Sequence, residues 1–177
     1  MAIIPGIYAS QISGHLITSN FFLISQQSPS AVSTITFSSI PATYKSLQVK
    51  FNLVTSASCV LLYQFNGDTG SNYAYHALYG NGSAANVTGG ATQTSFRAPA
   101  QSTLTTYPNV GIVDILDYAN TNKNKTVKSL VGANNNTSAG VIEVDSGLWL
   151  STAAITSLVI TASTGTFTGT ISLYGVS

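Results

Sequence analysis

Two glycine-centred turns bracket an aromatic segment in QFNGDTGSNYAYHALYGNGS, Gln64–Ser83, and this punctuation constrains the fold more than any other stretch of the chain. An apolar run ends in Asn66-Gly67-Asp68-Thr69-Gly70, and a second turn follows at Gly80-Asn81-Gly82. Asn-Gly tolerates the positive φ that tight hairpin turns require, so each turn marks a reversal between extended strands. Between the turns Tyr73, Tyr75 and Ala77 alternate with Ala74, His76 and Leu78. A period of two gives a sheet one face packed inward and another that presents aromatic and imidazole groups.

The same rhythm runs through most of the chain. Leu47, Val49, Phe51 and Leu53 alternate with Gln48, Lys50 and Asn52, the cleanest such signal. Ile35 and Phe37 lead toward Pro41, where a strand should stop. Cys59–Phe65 is a nearly continuous apolar run suited to a central strand, and Val110–Tyr118 is another, interrupted by Asp114 and Asp117. Thr126–Val131, Val141–Val144, Ile155–Thr161 and Thr170–Val176 follow, separated by Asn, Gly, Ser and Thr clusters. The total is roughly ten short strands, with no sustained helical stripe and no blade-length repeat. An all-β fold is expected, a jelly-roll β-sandwich rather than a propeller. Residues 80–108, rich in Gly, Ala, Thr and Ser, read as a long exposed variable loop.

The first residues break the pattern. Ile3, Ile4, Ile7, Tyr8, Ile12 and Leu16 are too apolar for a disordered tail, yet Pro5, Gly6 and Gly14 deny them a clean period. Residues 1–19 are therefore read as an extended docking arm that buries those side chains on a neighbour, with the sandwich spanning 20–177. An ordinary first strand of the same domain is the plainer alternative.

Composition bears on partners. A chain of 177 residues is served by one core. Charged residues are 6% of it, against about 25% in an ordinary domain, while Ser, Thr and Asn supply about a third. Such a hydroxyl and amide surface resists association weakly, which favours a subunit held in an assembly. A net charge of +1 leaves no basic patch for nucleic acid; Lys123, Lys125 and Lys128 read as a solvated face. No apolar run approaches the ~18 residues of a membrane helix, and no basic segment precedes the first apolar residues as in a secretory signal. Cys59, flanked by Ser58 and Val60, reads as a small core hydrophobe.

Titratable groups are scarce. His76, Asp68 and a serine assemble a triad only on paper, since no Gly-x-Ser-x-Gly turn supports it. Asp114 and Asp117, three apart on a strand, point to opposite faces. Asn66, Asp68 and Gly70 resemble part of a calcium loop but lack its terminal Glu. Glu143 and Asp145 share a strand face without an identifiable third ligand. No catalytic residue, metal or cofactor is expected. The remaining resource is aromatic: Tyr73, Tyr75 and Tyr79 with His76 form the candidate ligand-binding surface, suited to stacking on a sugar, whereas Trp149 reads as core.

With these residues in view, the chain resembles virion structural proteins of tailed bacteriophages of the marine and cyanobacterial type. The resemblance is carried over most of the sequence by ITFSSIPATYKSLQVKF, QFNGDTGSNYAYHALYGNGS, IVDILDYANTNKNKTVKSL, and SGLWLSTAAITSLVI with the closing SLYGV. The opening GIYASQISGHL is similar to leading stretches of phage structural proteins whose later parts differ. Relatives often place a basic residue after the His of the Tyr-His segment, where this chain has Ala77. The resemblance implies a virion location, other virion proteins as partners and no catalytic motif. Capsid decoration through the arm is expected, with a homotrimer by analogy to the three-fold positions of shells. A fibre-tip module whose loops hold host surface glycan is the main alternative, and a glycan hydrolase a third.

Overall fold

The computed structural model describes residues 20–100, 107–134 and 140–177, and these form two antiparallel sheets packed face to face, a β-sandwich. The strands are β1 (Phe21–Gln27), β2 (Thr34–Phe37), β3 (Ser46–Thr55), β4 (Cys59–Phe65), β5 (Tyr73–Gly80), β6 (Ala85–Gln93), β7 (Phe96–Ala100), β8 (Asn109–Leu116), β9 (Lys125–Ala133), β10 (Val141–Trp149), β11 (Leu158–Ala162) and β12 (Phe167–Val176). The long sheet runs β1-β12-β3-β8-β9-β10-β5-β6, and the short one β2-β11-β4-β7. No helix occurs among the described residues. The arm expected at 1–19 lies outside them.

The chain changes sheet after β1, β2, β3, β4, β6, β7, β10 and β11, so successive strands hand their inward side chains to the same core from opposite walls. The β5–β6 and β9–β10 hairpins stay in the long sheet and extend it by four strands beyond β8. Alternation decides which residues fill the core. Leu47, Val49, Phe51 and Leu53 point inward from β3, and Leu61, Tyr63 and Phe65 meet them from β4. Cys59 belongs to this core, and burial pushes its thiol pKa up. Full burial of such aliphatic and aromatic side chains is worth about 1.5–3 kcal/mol each.

The structure departs from the sequence expectation in three places. Residues 80–108 hold two strands, β6 and β7, and Phe96 and Ala98 of the second are fully buried. Pairing with β5 and β4 recruits a Gly-, Ala- and Thr-rich stretch whose own strand signal is weak. Lys125 is not solvated: its ammonium donates to the carbonyl oxygens of Asn120 (2.6 Å), Lys123 (2.9 Å) and Thr152 (3.0 Å). Three convergent acceptors make a buried cation tolerable. Finally, β8 is buried on one face only, with Val110, Ile112 and Leu116 exposed on the other.

The sheets interlock where β7 crosses β10. Phe96 of β7 lies against Gly147, and any side chain built there would run into its ring. We predict that Gly147→Val costs about 1–3 kcal/mol by overpacking and Phe96→Ala about 3–5 kcal/mol by cavity formation. Because the two act on one space, urea melts of the double variant should show less loss than the two single losses combined; strict additivity would refute the contact.

Candidate functional site: an exposed aliphatic face

The residues expected to bind a ligand do not share one surface. Tyr73 is fully buried and stacks on Trp149, while its hydroxyl accepts from Phe65 N (2.9 Å) and donates to Asp68 O (3.2 Å). Burial pushes its phenol pKa up to about 12. Tyr75 and Tyr79 follow on the same inner side, half-buried, and the guanidinium of Arg97 lies 5.1 Å from the Tyr75 ring centre. His76 projects from the opposite side and is exposed. The alternation is as read, but the rings carry the apolar area and take the inward positions. The other expected elements, Ile3, Ile4, Ile7, Tyr8, Ile12 and Leu16, lie outside the described residues.

Asp68 serves the β4–β5 turn. Its carboxylate accepts from Trp149 Nε1 (2.7 Å), Asn72 Nδ2 (3.0 Å) and Gly70 N (2.8 Å), and these donors hold its pKa below the usual carboxylate range. Asn66, at φ 54°, closes the same corner by accepting from Thr156 N (2.8 Å). Asp117 turns the chain after β8 at φ 51° and pairs with Lys123 at 2.6 Å. Asp114 accepts from Gln48 Nε2 (2.7 Å). Among the described residues no three His, Cys, Asp or Glu groups converge to hold a metal ion.

What stands out lies on the outer face of the long sheet. The register sets Ile112, Leu130, Val144, Leu78 and Val87 directly opposite one another on successive strands β8, β9, β10, β5 and β6. All five are exposed, Val87 to 80%. The adjoining row reads Val110, Gly132, Ile142, Gly80 and Ala85, in which Ile142 is 61% exposed. Gly132 leaves a hollow bounded by Val110, Ile112, Leu130 and Ile142, with Lys50 at its edge. The row on the other side is polar, running Asp114, Lys128, Ser146, His76 and Gly89. Sequence reading missed this face because both sides of β8 are apolar, and because on β10 the aliphatic set points outward while Glu143 and Asp145 take the buried side. The signal was present in the even-numbered aliphatics Val110, Ile112, Ile142 and Val144, which recur at a period of two.

Beneath this face, on the inner side of β10, Glu143 and Asp145 are buried. Arg97 Nη2 donates to Glu143 Oε1 (3.1 Å), and Ser129 Oγ to Asp145 Oδ2 (2.6 Å). Glu143 Oε2, Asp145 Oδ1, the Tyr63 hydroxyl and Arg97 Nε are buried without a hydrogen-bond partner among the described residues. Burial, and then the neighbouring Asp145 charge, push the Glu143 pKa up to about 7, with Arg97 opposing. Burial raises Asp145 as well, against its bond from Ser129. The pair holds a proton that two separate carboxylates would release.

A folded-state pKa raised from 4.5 to about 7 means that the protonated acid's stabilisation is complete below pH 4.5 and is lost as pH rises through 7. Wild-type melting temperature should therefore fall across that window, and Glu143→Gln should flatten the fall and melt higher at pH 8. Calorimetry from pH 4.5 to 8 checks this; an equal slope in both proteins would contradict it.

Comparison with protein-family models, with curated proteins and with solved structures finds no match.

Proposed function

We propose that the chain is a non-enzymatic structural subunit of a tailed-bacteriophage virion, a capsid decoration protein anchored by its leading arm and assembled as a homotrimer. The observation that carries this reading is the exposed aliphatic face. A surface of this kind, contiguous across five strands, marks a site covered by another protein. The charge pattern agrees with it. Of the chain's eleven charged residues Lys125, Glu143 and Asp145 are buried, which leaves little electrostatic repulsion between copies.

The strand order supports a jelly roll. Removing the two inserted hairpins leaves β1-β12-β3-β8 against β2-β11-β4-β7, in which early strands pair with late ones as in a folded-over ribbon. β1 starts at the edge of the long sheet, so a segment preceding it would leave the sandwich from an edge rather than through the core. That exit suits an arm whose Ile3, Ile4, Ile7, Tyr8, Ile12 and Leu16 bury on a shell.

Electron microscopy of intact virions should place the chain on the capsid, and deleting residues 1–17 should abolish loading onto particles while the remaining sandwich melts cooperatively. Density confined to the tail tip would sink decoration; full loading of the truncated protein would sink the arm.

A further inference from the structure

The aliphatic face itself indicates what covers it. Its five strands, about 4.8 Å apart, and the eight residues of β8, about 3.4 Å apart, give an outward surface, polar row included, of roughly 20 by 27 Å, about two thirds of the ~800 Å² per partner of a standard protein interface. Its chemistry is aliphatic. His76 is the one ring on the outward rows, which offer no flat aromatic platform for a sugar or a base. The outward residues of the central strand β10, namely Ile142, Val144, Ser146 and Leu148, carry no charge. Lys128, Asp114 and Lys50 lie to one side on β9, β8 and β3. The two aliphatic rows are thus free of charge, and Asp114 and Lys128 border them on the adjoining row, as polar groups border the apolar core of a protein–protein interface.

The relief of the face is self-complementary. Val87, its most exposed aliphatic, stands on β6 at one end, and the Gly132 hollow lies between β8 and β10 toward the other. Three faces about 20 Å wide, set as the sides of a triangle, leave each sheet roughly 6 Å from the axis, close to half the ~10 Å at which sheets pack. Three copies therefore close without a central channel.

We infer that the occupant of this face is a second copy of this chain. Three copies pack their aliphatic rows around an axis running beside β10, and Val87 of one enters the Gly132 hollow of the next. The threefold symmetry rests on the subunit role proposed above; the choice of surface rests on the rows themselves.

The test is sedimentation equilibrium of the full chain at micromolar concentration. Wild type should sediment as a trimer. Val144→Lys and Leu78→Lys should each sediment as monomers, with far-UV circular dichroism and cooperative melting kept. Thr36→Lys, on the outer side of the short sheet, should remain trimeric. If one face variant fails to fold, Gly132→Leu, which fills the hollow, reads the same interface. A wild-type monomer or dimer, or a trimer that survives the folded face variants, overturns the inference. So does a monomer whose binding of a hydrophobic dye rises only on deletion of residues 1–17, because its own leading segment then covers the face. Virion loading of the same samples separates the two proposals. A trimer that never loads keeps the interface and removes the subunit role, and a monomer that loads fully does the reverse.

Discussion

The half of the long sheet that carries the aliphatic rows continues the ladder from β3 into β8, and β7 packs its inner face against the short sheet. This short edge strand lies over β8, β9, β10 and β5, and two adjacent residues make the attachment. Phe96 fits the space that Gly147 leaves open, a steric constraint with no tolerance for a larger residue. Arg97 places its guanidinium on Glu143 and on the ring of Tyr75. Two carboxyl groups on one strand face would be costly to bury without such a cation, and without proton retention by the pair. The hairpins that extend the long sheet are thus joined to the short sheet by shape at one residue and by charge at the next.

Much of the sandwich was legible in the residues themselves. Leu47, Val49, Phe51 and Leu53 announced β3 because their alternation is unbroken, and Cys59–Phe65 announced β4 because it is apolar throughout. β6 and β7 were hidden for a physical reason. Ala85–Gln93 holds Val87 as its one strong strand former, and it is extended because β5 offers it a ladder. Lys125 was misjudged because its three carbonyl partners come from two separate loops, which no local window brings together. The tyrosines of β5 were placed on the right period, and only the fold decided which of its two sides faces the core.

The aliphatic face shows how a pattern carries more than one message. An apolar run such as Val110–Ile115 suits a strand covered on both sides, and that inference about burial is sound. Within this chain the short sheet covers one side alone, since four strands cannot span eight. On the reading proposed above, the second layer of burial is supplied by another copy of the chain. Apolar runs on both faces of a sheet covered on one side are, in this sense, a sequence signal that points beyond the fold of the single chain.

One last feature follows from where the long sheet stops. Its final strand, β6, spans nine residues with neither a charge nor a proline, and only the irregular pairing near Tyr75 interrupts its ladder. Natural sheets usually blunt such a rim with lysine, proline or a stronger kink, because bare amides and carbonyls recruit any extended peptide they meet. Among the described residues no strand pairs with the outer edge of β6, so this rim is where one more extended segment would lengthen the sheet.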